Sequence, residues 1–249
     1  MTDYKLYGLI GYPLGHSFSQ HFFNSKFESE GINARYCNFE LPDIGDLMEL
    51  VSEYPNLCGF NVTIPYKELI IPYLDSQDDI SKHIGAVNVV KVSQCDGEPV
   101  FTGYNTDVIG FSKSIKPLLK SHHCKALVLG TGGASKAVCY SLLQLDVEPI
   151  VVSRSADKGV MTYADITLDV INENTIIVNT TPCGMYPDVE SCPDIPYELL
   201  TSRHLCYDLV YNPDETLFIR KAAAQGAETK GGMEMLELQA MASWDIWQR

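Results

Sequence analysis

The chain has 249 residues, of which 45% are hydrophobic and 20% charged, a composition typical of a globular protein with one large or two small domains. Its formal net charge is -14 at pH 7, and such a surface repels the phosphates of nucleic acids and of anionic lipids. We therefore expect no nucleic-acid partner and no membrane association, and any bound anion needs a local site.

The eight cysteines contain no C-x-x-C pair and the six histidines no H-E-x-x-H motif, so the sequence predicts no metal site. Residues 1–5 lack the features of a signal peptide, and no apolar run approaches the roughly 20 residues of a membrane-spanning helix. We expect a cytoplasmic protein whose cysteines are reduced, mostly buried thiols.

Short β-rich runs alternate with longer amphipathic segments, a pattern typical of α/β proteins with largely parallel sheets. The predicted strands of the first half cover residues 6–10, 36–39, 60–64 and 87–92. The predicted helices of that half cover residues 19–28, 47–53 and 67–74.

A second βαβ series follows. Its predicted strands cover residues 126–129, 149–152, 176–178 and 205–209. Its predicted helices cover residues 136–145 and, at the end of the chain, 233–247. We predict two α/β domains, one formed by residues 1–104 with the C-terminal helix of 233–249, and one formed by residues 105–232.

A glycine-rich segment, Gly130-Thr131-Gly132-Gly133-Ala134-Ser135, stands between a predicted strand and a predicted helix. This order of strand, glycine turn and helix is typical of a dinucleotide site. Gly130 permits a tight turn, and Gly132 lets the backbone approach a pyrophosphate at the helix start. Ser135 replaces the third glycine of the general pattern. The segment predicts binding of a dinucleotide.

The next predicted strand ends in Ser153-Arg154-Ser155, with Lys158 one helical turn beyond. Sites for NAD usually carry a carboxylate here, which binds the ribose 2′-hydroxyl. Arg154 instead offers a planar, bidentate donor, and Lys158 adds a second positive charge, so the sequence favours the 2′-phosphate of NADP. In isolation, two solvated surface charges would be the preferred explanation, but the spacing after the glycine turn favours the 2′-phosphate role.

Polar residues follow the predicted strands of the first half, where α/β proteins place their sites. They lie in the segments Gly11-Tyr12-Pro13-Leu14-Gly15-His16-Ser17-Phe18-Ser19, Asn61-Val62-Thr63-Ile64-Pro65-Tyr66-Lys67, Gly85-Ala86-Val87-Asn88 and Asn105-Thr106-Asp107. Each has an ordinary structural explanation when taken singly, as a helix cap or a solvated surface charge. Their occurrence in one chain with the glycine turn favours a functional role.

Taken together and in this order, from Gly11 to Gln239, the motifs resemble those of the shikimate dehydrogenase family. The resemblance implies a substrate domain and a Rossmann-like NADP domain with shikimate held between them. It implies reversible, NADPH-dependent reduction of 3-dehydroshikimate to shikimate, in aromatic amino acid and chorismate biosynthesis. The catalytic Lys–Asp pair of the family falls on Lys67 and Asp107.

The resemblance also implies the ligand contacts. The predicted substrate-binding residues are Ser17, Ser19, Thr63, Lys67, Asn88, Asp107, Tyr211 and Gln239. The predicted cofactor-binding residues are Gly130, Thr131, Gly132, Gly133, Ala134, Ser135, Ser153, Arg154, Ser155, Lys158, Thr180, Leu209 and Gly232. Ser17 and Ser19 reach one carboxylate together if the backbone between them is extended, because alternate residues then share a face.

The residue types suit this chemistry. As the ring ketone is reduced, negative charge develops on its oxygen; the Lys67 ammonium can stabilise that charge and deliver a proton, while Asp107 orients it. The sequence does not separate these two roles of Lys67. Three alternatives stay open: a quinate/shikimate dehydrogenase, a folate-linked methylene dehydrogenase of similar architecture, and a catalytically silent NADP-binding regulatory protein. A monomer and a homodimer are both compatible with the sequence.

Overall fold

A computed structural model describes residues 4–15, 17–155 and 159–249. The chain forms two compact units, Met1–Thr106 with Ala240–Arg249, and Asp107–Gln239. Each unit is built on a six-stranded sheet, which confirms the predicted α/β class. The units divide after Thr106 and after Gln239, whereas the predicted domain boundaries follow residues 104 and 232.

The first unit arranges its strands in the order β2-β1-β3-β5-β6-β4. These strands are β1 Lys5–Gly11, β2 Ala34–Glu40, β3 Leu57–Val62, β4 Ser76–Gln77, β5 Val89–Cys95 and β6 Glu98–Tyr104. The helices are α1 Phe18–Ser29, α2 Leu47–Glu53, α3 Tyr66–Leu69 and α4 Asp79–Ile84. The predicted helix over 67–74 is shorter than expected, since α3 ends at Leu69 and a 3-10 turn follows at Ile71–Tyr73.

The first sheet is mixed rather than largely parallel. β1 pairs in parallel with β2 and β3, but β5 runs antiparallel to both β3 and β6. The β5–β6 hairpin was not predicted from the sequence. Its turn residues Asp96 and Gly97 have φ angles of 52° and 89°. A two-residue hairpin turn of this kind needs positive φ at both positions, and Asp-Gly supplies it at low cost. The Asp-Gly pair in the sequence therefore indicates this hairpin.

An aromatic cluster packs under the first sheet. The ring of Tyr36 stacks on Phe23 with centroids 4.7 Å apart, and Tyr7 stacks on Trp247 at 4.9 Å. Trp247 belongs to the last helix and donates its indole N–H to the carbonyl oxygen of Val90 at 3.0 Å. The burial of these large rings and the hydrogen bond of the indole hold the end of the chain against the sheet.

The second unit has a sheet of order β12-β11-β10-β7-β8-β9 in which all described pairings are parallel. Its strands are β7 Lys125–Leu129, β8 Glu148–Ser153, β9 Met161–Thr162, β10 Ile176–Asn179, β11 Leu205–Asp208 and β12 Glu228–Lys230. Its helices are α5 Asp107–Ile115, α6 Gly133–Gln144, α7 Leu168–Glu173, α8 Leu217–Ala224 and α9 Met233–Trp247. Helix α9 begins in the second unit and ends in the first.

All eight cysteines carry free thiols, but the prediction that most are buried is wrong. Cys206 is buried, five others are half-buried, and Cys95 and Cys124 are exposed. Cys95 stands beside the hairpin turn and Cys124 directly precedes β7, so both lie outside the core. Within the described ranges, no helix is long and apolar enough to cross a bilayer, and no group of three potential metal ligands is found.

Gly59 of β3 tests the packing of Trp247. A Cβ at this position would lie 2.3 Å from the indole nitrogen of Trp247 and 2.9 Å from the carbonyl oxygen of Val90. Gly59→Ala is therefore expected to lower the free energy of unfolding in urea by about 1–3 kcal/mol. At Gly15, an added Cβ meets none of the described atoms within 4 Å, so Gly15→Ala is the control. Equal losses in the two variants would contradict the packing argument.

Candidate functional site

The carboxyl ends of β1 and β3 meet at one edge of the first sheet. Because β5 is antiparallel to β3, the start of β5 lies at the same edge, and the amide of Val62 donates to the carbonyl oxygen of Asn88 at 2.8 Å. Thr63 and Lys67 directly follow β3, and the chain after β1 leads into α1. The structure thus gathers Thr63, Lys67 and Asn88 at this edge, while Ser17 and Ser19 open the helix that follows β1.

Ser17 caps the N-terminus of α1. Its backbone is extended, with φ -90° and ψ 122°, and its hydroxyl accepts a hydrogen bond from the amide of Gln20 at 3.4 Å. Ser19, however, is a buried residue of α1, which already begins at Phe18, so the extended backbone under which Ser17 and Ser19 would share a face is not formed. Hydroxyls at a helix N-terminus still suit an anion, because the helix dipole favours negative charge there.

Backbone hydrogen bonds fix the position of Lys67. The amide of Tyr66 donates to the carbonyl oxygen of Thr63 at 2.8 Å. The buried Tyr66 hydroxyl donates to the carbonyl oxygen of Leu41 at 2.5 Å. The carbonyl oxygen of Lys67 accepts from the amide of Val87 at 2.7 Å. The half-buried Lys67 side chain therefore starts from a backbone tied to the segment that carries Asn88.

The buried Asn88 side chain holds the chain just before Asp107. Its Oδ1 accepts from the backbone amide of Thr106 at 2.7 Å, and its Nδ2 donates to Thr106 Oγ1 at 3.1 Å. Thr106 is the last residue before α5. These two hydrogen bonds set where the backbone enters that helix.

In the second unit, Asp107 and Gln239 lie on facing helices. Asp107 opens α5 and is buried. Gly110, one turn later on the same side, lies against α9, since a Cβ there would be 2.5 Å from the carbonyl oxygen of Met235 and 3.0 Å from Gln239 Cβ. Gln239 is also buried and donates its Nε2 to the carbonyl oxygen of Leu236 at 2.9 Å.

Tyr211 and the Lys67–Asp107 pair complete the predicted substrate site. Tyr211 follows β11 and is half-buried, and burial raises the pKa of its hydroxyl. Lys67 belongs to the first unit and Asp107 to the second, so their catalytic pairing stays a prediction.

The glycine turn has the geometry that a dinucleotide needs. Gly130 has φ +117°, a value that L side chains rarely adopt, and a Cβ there would lie 2.7 Å from Thr180 Oγ1. Gly132 precedes α6, has no side chain to cap it, and an added Cβ would meet no described atom within 4 Å. Ser135 donates to the carbonyl oxygen of Gly130 at 2.7 Å and so closes the turn. The open N-terminus of α6 fits a pyrophosphate.

The end of β8 adjoins this turn, because the amide of Gly130 donates to the carbonyl oxygen of Val152 at 2.9 Å. Ser153 ends the strand, and Arg154 and Ser155 follow it in exposed positions. An exposed guanidinium beside the glycine turn fits a ribose 2′-phosphate. Lys158 lies outside the described residues.

The remaining predicted cofactor contacts lie at the same edge of the second sheet. Thr180 donates its hydroxyl to the carbonyl oxygen of Leu129 at 2.7 Å, beside the glycine turn. The amide of Leu209 donates to the carbonyl oxygen of Asn179 at 2.9 Å. A Cβ at Gly232 would lie 2.2 Å from the carbonyl oxygen of Leu209, so only glycine permits this approach. Their ligand contacts stay predictions.

Asp208, at the end of β11, is a residue that the sequence analysis did not single out. It is fully buried and accepts hydrogen bonds from Thr216 Oγ1 at 2.5 Å, Asn179 Nδ2 at 2.9 Å and the amide of Val210 at 3.0 Å. Burial raises its pKa to about 6, although these hydrogen bonds lower it. Asp208 joins the loops after β10 and β11, and a carboxylate ending an apolar strand was its sequence signal.

Comparison with known proteins decides the family. Residues 9–90 match the model of the shikimate dehydrogenase substrate binding domain. A shikimate dehydrogenase (NADP(+)) of Methanococcus vannielii is 37% identical over an alignment that covers 99% of this chain and 93% of the relative. The chain belongs to the shikimate dehydrogenase family.

Solved structures agree. A shikimate 5-dehydrogenase of Thermus thermophilus in complex with NADP(H) and shikimate matches with a TM-score of 0.84 and 30% identity, over 98% of this chain and 93% of that one. A quinate dehydrogenase of Corynebacterium glutamicum in complex with NAD matches with a TM-score of 0.84 and 28% identity, again over 98% and 93%. The fold therefore serves relatives with different substrates and cofactors.

The pKa of Asp208 makes a prediction about stability. Its folded value of about 6 exceeds the ordinary 3.8, so the folded protein binds this proton more tightly than the unfolded chain. The contribution of Asp208 to the free energy of unfolding therefore decreases as the pH rises from about 4 to 6 and stays low above it. Wild type should gain stability relative to Asp208→Asn as the pH falls from 7 to 4.5, by about 2 kcal/mol in urea unfolding.

Asp165 is the control, because hydrogen bonds from Thr162 lower its pKa. Its stabilising contribution is lost only as the pH falls below about 4, so the difference in stability between wild type and Asp165→Asn should stay nearly constant from pH 7 to pH 4.5. A difference for Asp208→Asn that is the same at pH 7 and pH 4.5 would contradict the assignment.

Proposed function

We propose that this chain is an NADP-dependent shikimate dehydrogenase that interconverts 3-dehydroshikimate and shikimate. One observation carries the proposal: similarity to a shikimate dehydrogenase (NADP(+)) extends over 99% of the chain, and both the glycine turn and the first-unit polar set lie within it. The place of action that we propose is the cytoplasm, with a monomer or a homodimer as the working form.

The second unit fits NADPH. The pyrophosphate would be held by the open N-terminus of α6 at Gly132 and Gly133, and the 2′-phosphate by Arg154. Leu209 and Gly232 would hold the nicotinamide end. When bound, NADPH supplies the hydride that reduces the ring ketone.

The first unit fits shikimate. A shikimate molecule has one carboxylate and three hydroxyls and therefore needs several short polar partners. Ser17 and Ser19 at the start of α1 would bind the carboxylate, where the helix dipole adds to their hydroxyls. Thr63 and Asn88 would bind ring hydroxyls, and Tyr211, Gln239 and Asp107 of the second unit would complete the set.

Lys67 would act at the reacting oxygen. Its ammonium donates a hydrogen bond to the carbonyl oxygen, stabilises the developing negative charge and delivers a proton as the ketone becomes an alcohol. In the oxidative direction the neutral amine takes the proton back. Asp107 would accept a hydrogen bond from the substrate and orient the ammonium.

The experiment that tests this function measures the absorbance of reduced nicotinamide with shikimate or quinate, each with NADP+ or NAD+. The highest kcat/KM is expected for shikimate with NADP+. Higher values for quinate would support the alternative favoured by the similarity to a quinate dehydrogenase. No turnover of either substrate would overturn the proposal and favour a silent NADP-binding protein.

Arg154→Ala tests cofactor choice. Loss of the bidentate contact to the 2′-phosphate is expected to raise the KM for NADPH by roughly 10- to 100-fold, while the KM for NADH changes by less than about twofold. Arg203 is an exposed arginine of the same unit, two residues before β11, and Arg203→Ala is the control. Equal effects of Arg154→Ala on both cofactors would remove its proposed role.

Lys67→Met tests the catalytic role. Without the ammonium, kcat should fall by about 100-fold or more, because proton transfer and charge stabilisation are both lost. Lys82→Met, which changes an exposed lysine of α4, should leave kcat unchanged. A Lys67→Met variant with normal kcat and only weaker shikimate binding would show that Lys67 binds but does not catalyse.

A further inference from the structure

A network of buried hydrogen bonds runs through the first unit. The Tyr36 hydroxyl donates to Asn61 Oδ1 at 2.8 Å, and Asn61 Nδ2 donates to Ser243 Oγ at 3.0 Å. Ser243 Oγ lies 3.2 Å from Thr106 Oγ1, which accepts from Asn88 Nδ2 at 3.1 Å. We call these five side chains the Tyr36 network. It joins β2, β3 and α9 to the segment before β5.

The Tyr36 network is closed to solvent. Tyr36, Thr106 and Ser243 are 0% exposed, and Asn61 and Asn88 are also buried. Polar groups in such a place are costly when a partner is removed, so each member is held by the next. Tyr36 is fixed further by its stacked contact with Phe23.

One end of the network is Tyr36. Burial holds the pKa of its phenol well above the usual value, so the hydroxyl stays protonated and remains the donor to Asn61.

The other end is Asn88. Its Oδ1 is taken by the amide and hydroxyl of Thr106, at 2.7 and 3.3 Å, so the orientation of its side-chain amide is set by the network. The Asn61 amide also donates to the carbonyl oxygen of Asn88 at 3.3 Å. The network therefore runs from the aromatic cluster around Tyr36 to Asn88, to which the proposed function assigns a ring hydroxyl.

We propose that Tyr36 is a positioning residue for the substrate: through Asn61, Ser243 and Thr106 it holds the Asn88 side chain in the orientation that binds a ring hydroxyl of the substrate. The inference rests on the proposed function and adds to it residues that do not themselves contact the ligand. Its consequence is selective, since substrate affinity depends on the network and cofactor affinity does not.

Tyr36→Phe tests the proposal, with Tyr7→Phe as the matched control. Tyr7 is equally buried in the same aromatic cluster, and its hydroxyl accepts only from Gln248 Nε2, at 3.3 Å, among the hydrogen bonds found for it in the described chain. Tyr36→Phe should raise the KM for shikimate by about 5- to 20-fold while kcat and the KM for NADP+ change by less than about twofold. Tyr7→Phe should leave all three within about twofold. Equal shikimate KM values in the two variants would overturn the proposal.

Asn88→Ala supplies a second readout. If Tyr36 acts through Asn88, adding Tyr36→Phe to Asn88→Ala should raise the shikimate KM by at most about twofold, because the two changes remove one shared interaction. The same 5- to 20-fold increase in both backgrounds would show a general loss of packing and overturn the proposal.

Ser243→Ala carries the test if Tyr36→Phe does not fold. It removes the acceptor of the Asn61 amide and the neighbour of Thr106, so the shikimate KM should rise by about 3- to 10-fold with the KM for NADP+ unchanged. An unchanged shikimate KM in folded Ser243→Ala would contradict the network. Wild type inactive on shikimate would contradict the proposed function itself, whereas active wild type with normal variants would contradict this inference alone.

Discussion

The hydrogen bond between Asn61 and Ser243 joins two side chains 182 residues apart in the chain, inside a core that is otherwise apolar and aromatic. A buried side-chain amide is tolerated only when it is hydrogen-bonded. The hydrogen-bond partners of Asn61 belong to β2, to the segment before β5 and to α9. The end of the chain is therefore tied to the first sheet by a directional bond as well as by the packing of Trp247. The edge that carries Lys67 and Asn88 is built on this arrangement.

The second unit also has a buried, hydrogen-bonded polar side chain at the carboxyl edge of its sheet. Asp208 receives three hydrogen bonds and holds the loops that follow β10 and β11, where Thr180 and Leu209 stand. Both sheets thus place one buried polar residue beneath the loops that carry the predicted ligand contacts. Loops positioned in this way are ordered by the protein itself, which lowers the entropic cost of binding.

Much of the fold could be predicted from the sequence. The bounds of α2 and α9 match the predicted helices, and the turn at Gly130 has the positive φ that the glycine pattern indicates. Periodicity did not reveal the β5–β6 hairpin, although its Asp-Gly turn was visible. The extended backbone on which a shared face of Ser17 and Ser19 depends is not formed, because the capping Ser17 starts a helix at the next residue. Tyr36, Asn61 and Ser243 could not be connected in advance, since only the folded chain brings them together, and the roles of Lys67 and Asp107 come from family resemblance.

Helix α9 carries Gln239 in one unit and Ser243 in the other, one turn apart. An α-helix rotates by about 100° per residue, so inserting or deleting one residue between them would turn one side chain away from its present partners while the other kept its place. The spacing of these two residues is thus a fixed length in the sequence. A surface loop can change in length without such a rotation, but this stretch of helix tolerates substitution far better than any change in residue number.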